Sequence, residues 1–440
     1  MQGSILMRAA AAATALALAT AALPAIAAPK ITRLTPPSEL FSSGKARPVI
    51  ARFLPEQKFD LQATVVPDAG ATITDNWDFY IDGKRVEQGV RGTQDADRIG
   101  NGAKVISIRG VEVSEAGLRI LRVRARQSDG QLAIGRGNFE VVPVEIGGPQ
   151  VKNVIIMLGD GMGASHRTAA RIMLDGYAQG KARTDLAMDG FPYTAMVKTS
   201  SLDSIITDSS PGMASYVTGN KHANNQEGVF PDDTANPFDN PRTEYLAAYL
   251  ARKYGKSLGI VTTADVFDAT PAANAIYTSN RGAGTGIADQ YLDDAEISGL
   301  TVLLGGGRKW FLPAGTPGSA RTAGNDYVLP GEISADWGAA PGKSDPERNL
   351  VADFEAAGWT YVSEATELRT ATPRNGKLLG LFSFSNMNVA LDKVNERRGV
   401  PDVVNAYGLP DQPLLDEMTA KAIRVLSRNP NGFVLMVEAA

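Results

Sequence analysis

Several short segments of this chain place a carboxylate or a hydroxyl directly after an apolar run. The clearest is Gly159-Asp160-Gly161-Met162-Gly163, which follows the apolar run from Val154 to Leu158. The glycines allow a sharp turn and leave Asp160 exposed at the carboxyl end of a predicted strand. A carboxylate in that place suits a divalent cation. The alternative interpretation is a strand-to-helix turn that Asp160 caps.

A second segment, Thr207-Asp208-Ser209-Ser210-Pro211, combines two serine hydroxyls with a helix start. Proline is favoured at the first helical position and serine just before it, which predicts a helix beginning near Pro211 with Ser210 as its N-cap. In the functional interpretation Ser209 lies at the positive end of that helix, where backbone N–H groups stabilise an alkoxide or a bound phosphate. The two interpretations are compatible, because different serines can fill the two roles.

Three further positions carry polar groups that could bind a cation or an anion. In Asp268-Ala269-Thr270-Pro271, Asp268 and Thr270 offer two oxygens of the kind that magnesium takes, although a capped turn explains them equally well. Arg281 follows Thr278-Ser279-Asn280, and its guanidinium fork matches two phosphate oxygens unless it is merely solvated. Glu438 ends the apolar run Phe433 to Val437, so its carboxylate needs a cation, hydrogen bonds or solvent.

The elements that must position these residues alternate between strand and helix from about residue 151 onward. Val154 to Leu158, Leu258 to Val261 and Thr301 to Leu304 are apolar runs typical of strands that are covered on both faces. In a late predicted helix, a single face carries Met418, Ala422, Val425 and Leu426. This pattern predicts an α/β domain with a mostly parallel sheet, in which ligands bind beyond the carboxyl ends of the strands.

The region from residue 28 to 148 has a different pattern and is predicted to be all-β. Short segments such as Phe59 to Val66 and Leu118 to Arg126 are rich in β-branched or aromatic residues, and Asp82-Gly83 marks a turn between strands. This pattern predicts a small β-sandwich, which a linker at Gly147-Gly148-Pro149 joins to the rest of the chain. The sandwich contains no catalytic constellation, so we expect an accessory or docking domain.

Composition excludes several classes of site and protein. The chain has 440 residues, a formal net charge of −4, two histidines and no cysteine. Disulfides, thiolate metal sites and cysteine nucleophiles are therefore excluded, and the charge gives no footprint for nucleic acid binding.

The amino-terminal segment from residue 1 to 27 predicts an export signal. Arg8 precedes the apolar run Ala9 to Leu23 and the small-residue cleavage site Ala25-Ile26-Ala27. The run is shorter than the ~20 residues that cross a bilayer, although a retained membrane anchor is the alternative. We therefore expect a periplasmic or secreted protein without a membrane span, with domains at 1–27, 28–148 and 149–440.

Taken together, the segments after residue 151 resemble the alkaline phosphatase family, the metal-dependent serine enzymes of bacteria and animals. Asn153 to Gly163 is similar to the family's opening strand and metal-binding turn, and Thr207-Asp208-Ser209 to its nucleophile motif. The remaining matches are Val261 to Ala264 with Asp268 to Ala272, Arg281, Leu304 to Lys309, and Glu417 to Glu438.

The resemblance implies a three-layer α/β/α fold and hydrolysis of small phosphate monoesters through a phosphoserine on Ser209. It implies two Zn²⁺ ions and one Mg²⁺ ion: Asp160 would bridge magnesium and one zinc, and Thr270 and Glu438 would complete the protein ligands of magnesium. Zinc would activate Ser209, and Arg281 would hold the phosphate oxygens. Asp208 and Asp268 would orient Arg281 and metal-bound water. A homodimer is also typical of the family.

The resemblance also leaves alternatives and one departure. A phosphodiesterase or sulfatase relative on the same fold, and a non-catalytic phosphate-binding surface protein, remain open. Most zinc ligands of the family follow the position of Glu438, whereas this sequence ends at Ala440. His166 is expected in the first turn of a helix and His222 in a loop, both outside the ligand positions. We therefore expect a carboxyl-terminal truncation, with little turnover and weak zinc binding in these 440 residues.

Overall fold

A computed structural model of the protein describes residues 28–144, 151–394 and 411–440. The amino-terminal part forms two sheets, with strand orders β1-β3-β7-β6 and β2-β9-β8-β4-β5. Its elements are β1 Lys30–Thr35, α1 Glu39–Ser43, β2 Arg52–Phe53, β3 Phe59–Val66, β4 Ile73–Ile81, β5 Lys84–Arg85, β6 Val90–Asp95, β7 Lys104–Val111, β8 Gly117–Gln127 and β9 Leu132–Val141.

The two sheets pack face to face, as the alternating sequence pattern predicts. Leu61 and Val65 of β3 meet Val123 of β8 and Phe139 of β9 in a single buried core. Asp82 and its successor Gly83 both have positive φ and connect β4 to β5, which matches the expected Asp-Gly hairpin turn. The prediction of a sandwich-like all-β region is confirmed.

The second part is built on one six-stranded parallel sheet with strand order β10-β17-β13-β14-β16-β15. Its strands, with the small hairpin β11–β12, are β10 Val154–Gly159, β11 Tyr177–Ala178, β12 Lys181–Ala182, β13 Ser257–Asp265, β14 Leu300–Gly306, β15 Thr360–Val362, β16 Leu378–Leu381 and β17 Phe433–Ala439. The α-helices of this part are α2 Ala164–Asp175, α3 Ser209–Thr218, α4 Leu246–Tyr254, α5 Ala269–Ala272, α6 Gly284–Asp293, α7 Ala295–Ser298, α8 Gly331–Trp337, α9 Leu350–Ala356, α10 Ala365–Thr370, α11 Ala390–Asp392 and α12 Leu415–Leu426.

The inner strands β13, β14 and β17 are covered on both faces, which explains why they are apolar runs. The edge strand β10 is not, because Ile155 and Met157 on one of its faces are 44% and 64% exposed. The prediction that Val154 to Leu158 is covered on both faces is therefore wrong. Residues of β17 alternate between two cores: Met436 joins the core that includes α3, α4 and α6, whereas Leu435 joins the core that includes α12. On α12, the predicted apolar face (Met418 and its neighbours at helical spacing) is buried against the sheet. The three-layer α/β/α prediction is therefore confirmed.

The sandwich and the α/β part share a polar and an apolar interface. Arg109 and Asp60 form an ion pair with side chains that are fully buried, at 3.0 Å, and a second Arg109 nitrogen donates to the carbonyl oxygen of Asp239. Phe230, from the segment between α3 and α4, packs inside the core of the sandwich. The residues around 230–243 therefore belong to both parts.

Two predictions fall on residues that the structure does not describe. The export signal at 1–27 and the linker at Gly147-Gly148-Pro149 both lie outside the described residues. Within the described ranges, no helix is long and apolar enough to cross a membrane.

Candidate active site

The carboxyl ends of three neighbouring strands bring the candidate carboxylates together. In the parallel register, Glu438 of β17 lies between Leu158 of β10 and Thr262 of β13. The chain continues from β10 into the glycine turn, where the Asp160 N–H donates to the carbonyl oxygen of Ala439 at 3.0 Å. Asp160 and Glu438 therefore reach the same edge of the sheet, as the sequence predicted.

Asp160 does not cap the helix that follows it. That helix, α2, begins at Ala164, and its N-cap is Gly163. The capping interpretation of Asp160 is therefore wrong, and its exposed carboxylate is free to take another partner.

Glu438 is a buried carboxyl group without a cationic partner. It is 1% exposed, and Thr262 Oγ1 donates to its Oε2 at 2.6 Å. Burial raises the pKa of Glu438 to about 7; hydrogen bonds from Thr262 and Thr270 oppose this, and the charges of Asp160 and Asp268 add to it. Among the described residues, no lysine, arginine or histidine pairs with Glu438 or Asp160.

This donor set fits a magnesium ion. Thr270 lies in the short helix α5, and its hydroxyl faces the Glu438 carboxyl, where it helps to lower the pKa of that group. Asp160, Thr270 and Glu438 thus supply oxygen atoms only, and the two carboxyl groups among them have no cationic partner in the described residues. Magnesium takes few protein oxygens of this kind and completes its shell with water.

Ser209 occupies the first position of helix α3, which begins two residues earlier than predicted. The N-cap is Asp208, whose side chain accepts from the Ser210 N–H at 2.7 Å. Ser210 is fully buried, and its hydroxyl is directed toward Glu227 at 3.4 Å. The prediction that Ser210 caps a helix starting near Pro211 is wrong, because Asp208 is the better acceptor and takes that role.

Arg281 connects the serine to both of the aspartates predicted to orient it. Its Nη1 donates to Ser209 Oγ at 3.1 Å, and its Nη2 donates to Asp268 Oδ1 at 2.5 Å. Asp208 Oδ1 lies 3.5 Å from Nη1. The solvated-arginine interpretation is wrong, since the guanidinium is held in place between two carboxylates with its fork beside the serine.

Two residues of this region were not singled out from the sequence. Thr262 bonds Glu438 because the parallel register sets them side by side, and a lone threonine in a strand carries no signal of that pairing. Glu227 is fully buried next to Ser210, and burial raises its pKa well above the ordinary value, opposed by the charge of Arg281. Its position in a loop gave no sequence signal either.

Neither histidine contacts these groups. Nδ1 of His166, in the first turn of α2, accepts from the Gly163 N–H at 3.1 Å. His222 is a loop residue as expected, but it is fully buried, with Nδ1 donating to the Val229 carbonyl at 2.8 Å. Burial lowers the pKa of His222 to about 4. The described residues therefore do not by themselves form a zinc site around Ser209.

A separate acidic cluster is neutralised by arginine. Within the described ranges, Asp289, Asp326 and Asp345 are the only three acidic or metal-ligating side chains that lie close enough together to hold a metal. Both oxygens of Asp289 accept from the buried Arg321, at 2.8 and 2.9 Å. Arg348 lies 3.5 Å from Asp289 as well. This cluster is an ion-pair network rather than a second metal site.

Comparisons with known proteins relate the α/β part of the chain to one family. The family model described as alkaline phosphatase matches residues 151–440. The tissue-nonspecific alkaline phosphatase of Gallus gallus is 34% identical over 310 residues, covering 65% of this chain and 54% of the relative. Alkaline phosphatase H of Pseudomonas aeruginosa is 32% identical over 326 residues, covering 66% and 60%. The Thermus thermophilus alkaline phosphatase structure is 27% identical with a TM-score of 0.48, covering 66% of this chain and 50% of that one.

The matched residues include Asp160, Ser209, Thr270, Arg281 and Glu438. The chain spans somewhat more than half the length of these two curated relatives. Because the family model matches well over half of the 440 residues, the chain belongs to the alkaline phosphatase family.

Proposed function

We propose that the protein hydrolyses small phosphate monoesters to an alcohol and inorganic phosphate, through a phosphoserine on Ser209. The observation that carries this proposal is the 3.1 Å contact between Ser209 Oγ and Arg281 Nη1 at the start of helix α3. That contact puts a nucleophile, a guanidinium fork and the positive end of a ten-residue helix at one point. This combination suits a terminal phosphate with two negative charges.

In the proposed reaction, Arg281 holds two non-bridging oxygens of the phosphate while Asp268 and Asp208 fix the guanidinium. Ser209 Oγ forms a bond to phosphorus as the ester P–O bond breaks, and the alcohol leaves with a proton. Water then attacks the phosphoserine, which releases inorganic phosphate and returns the proton to Ser209. The fixed guanidinium needs no rearrangement as charge develops in the transition state.

We propose one Mg²⁺ ion held by Asp160, Thr270 and Glu438, and two Zn²⁺ ions to which this chain contributes Asp160 and Ser209. When bound, such ions act as Lewis acids and stabilise negative charge on attacking and leaving oxygens. The support on the magnesium side is the pair of carboxylates without a cationic partner among the described residues. The zinc ions rest on family membership alone.

We also propose a cellular location, a domain organisation and an oligomeric state. An export signal at 1–27 places the protein in the periplasm or outside the cell, with a sandwich-like domain at 28–148 and the catalytic domain at 149–440. A homodimer follows from family membership, and nucleic acid is not expected as a partner.

The test is hydrolysis of p-nitrophenyl phosphate by the protein as its gene encodes it, supplied with Zn²⁺ and Mg²⁺. Ser209→Ala should lower kcat on the order of 10³-fold or more and abolish trapping of phosphoserine, because the nucleophile is gone. Ser210→Ala is the matched control, because its hydroxyl is directed away toward Glu227. Full activity in Ser209→Ala would show that another group attacks phosphorus.

Two rival functions are separated by the same assay. A phosphodiesterase or sulfatase would prefer bis-p-nitrophenyl phosphate or p-nitrophenyl sulfate over the monoester. A non-catalytic phosphate-binding protein would bind inorganic phosphate and turn over none of these esters. The fork of Arg281 beside Ser209 favours the monoester, whose terminal phosphate offers it two free oxygens.

A further inference from the structure

The outer face of the five-stranded sheet in the sandwich is rich in arginine. Side chains alternate along β8 and β9, and these strands pair without interruption over ten residues, so residues opposite each other share a face. We call this surface the basic face. Its members are Asp78, Tyr80, Arg85, Leu118, Ile120, Arg122, Arg124, Arg126, Leu132, Ile134, Arg136, Asn138 and Glu140. Asn138 alone among them is fully buried, because its side chain bonds to Ser38 and to the Ala46 carbonyl.

Most of the positive charge on the basic face is not compensated. Asp78 forms ion pairs with Arg85 at 2.6 Å and with Arg124 at 3.1 Å. Arg122 and Arg136 have no ion pair among the described residues, yet they stand directly opposite each other on neighbouring strands. Like charges in that position destabilise a sheet. The arrangement therefore costs stability unless an anion covers both guanidinium groups.

The sandwich as a whole differs in charge from the rest of the chain. Residues 28–144 contain 17 Lys and Arg against 14 Asp and Glu, a net of +3, within a chain whose net charge is −4. The positive charge is therefore concentrated in the amino-terminal part, and the basic face is a place where it is exposed.

Exposed aliphatic side chains lie among these arginines. Leu118, Ile120 and Ile134 are 38%, 40% and 55% exposed on the same face. Strand spacing and rise give the face about 14 by 27 Å. Single exposed aliphatic residues are ordinary, but their combination with unpaired cations on one surface is typical of contact with a lipid interface.

The one aromatic ring of the basic face is already covered. The Arg122 guanidinium lies 4.3 Å from the centre of the Tyr80 ring, and that of Arg124 lies 5.5 Å from it. A sugar or a nucleic acid base would need a free ring for stacking. The face thus favours an anionic lipid surface over an acidic polysaccharide or a single-stranded nucleic acid.

We propose that the basic face docks on the surface of an anionic lipid bilayer. Arg122 and Arg136 bind headgroup phosphates, and Ile120 and Ile134 enter the interfacial layer. This contact is peripheral, and it is independent of the proposed phosphatase activity. It gives the sandwich a function as the part that holds the enzyme at a membrane surface.

The experiment is co-sedimentation with vesicles of phosphatidylcholine alone and with vesicles that contain equal phosphatidylglycerol. Binding should require phosphatidylglycerol and weaken as salt rises. The double variant Arg122→Gln/Arg136→Gln should bind on the order of thirtyfold more weakly, since each arginine near an anionic surface contributes about fivefold. The control Arg183→Gln/Arg374→Gln removes the same charge from exposed arginines of the α/β part and should bind as the parent does.

The aliphatic contribution is tested separately with Ile134→Ser, which should weaken binding to the same vesicles while leaving the salt dependence unchanged. The control is Val328→Ser, an equally exposed aliphatic residue of the α/β part. Equal binding to both kinds of vesicle would overturn the proposal, as would equal losses in the two double variants. Binding to immobilised heparin without binding to vesicles would overturn it in favour of an acidic polysaccharide.

Discussion

The two halves of the candidate site are built in opposite ways. The carboxylate half, at the ends of β10, β13 and β17, buries Glu438 beside Asp160 with no described cation. The serine half, at the start of α3, keeps Ser209 half-buried, and Arg281 is held there by two aspartates. One half has surplus negative charge, and the other presents a fixed positive group.

This difference predicts which half would depend on a bound cation. Arg281 already has its counter-charges, so the serine half keeps its geometry through the protein's own ion pairs. The carboxylate half has hydrogen bonds from Thr262 and Thr270 but no positive partner among the described residues, so we expect a metal ion to stabilise it. The halves should therefore respond differently to magnesium, to pH and to mutation.

The largest effect is expected from Glu438→Gln on magnesium binding. The amide keeps the shape of the side chain and removes the charge, so affinity for Mg²⁺ should fall at least about 100-fold. Calorimetric titration measures it, with the exposed Glu296→Gln as the control. Unchanged Mg²⁺ affinity in Glu438→Gln would place the cation elsewhere and remove the distinction between the halves.

The next effect tests whether His222 is accessible to protons and metals. His222 is buried, and burial lowers its pKa from 6.5 to about 4, so the unfolded chain binds the proton more readily than the folded chain. The unfolding free energy should therefore drop by about 3 kcal/mol as pH falls from 6.5 to 4. Urea unfolding of His222→Gln should lack this contribution, and the exposed His166→Gln should keep it. An equal pH dependence in all three proteins would mean that His222 is accessible to protons and metals.

The smallest effect is expected from Arg281→Lys on phosphate binding. Lysine keeps the charge but cannot bridge Ser209 and Asp268 with two nitrogens, so affinity for inorganic phosphate should fall about tenfold. Magnesium affinity should not change, which separates the halves once more. Arg374→Lys, an exposed exchange of the same kind, serves as the control in both titrations. A parallel loss of magnesium would show that the halves act as one unit.

The strands were predictable from the sequence because each carries its own hydrophobic pattern. The run Phe59 to Val66 coincides with β3, and the run before Asp160 coincides with β10. Strand order was not predictable, since nothing in the sequence of β17 indicates that it lies between β10 and β13. That order is what brings Glu438 next to Asp160.

The site residues also differ in whether the sequence alone could identify them. Asp160 and Glu438 could be identified because a carboxylate that follows an apolar run needs an explanation. The contact of Arg281 with Ser209 joins residues 72 positions apart, and the role of Asp208 as the cap depends on a competition that the sequence alone does not decide. Helix-start statistics favoured Ser210 as the N-cap. The stronger acceptor Asp208, two residues earlier, caps the helix instead.

Phe230 and the segment around it have a consequence for how the molecule unfolds. This ring belongs to the α/β part of the sequence and fills the core of the sandwich, while Arg109 of the sandwich pairs with Asp60 and donates to Asp239. Neither part can open without exposing apolar surface or a buried charge of the other. Heat should therefore melt both domains in one cooperative transition, and separating the chain near residue 148 should leave each piece less stable than it is in the whole protein.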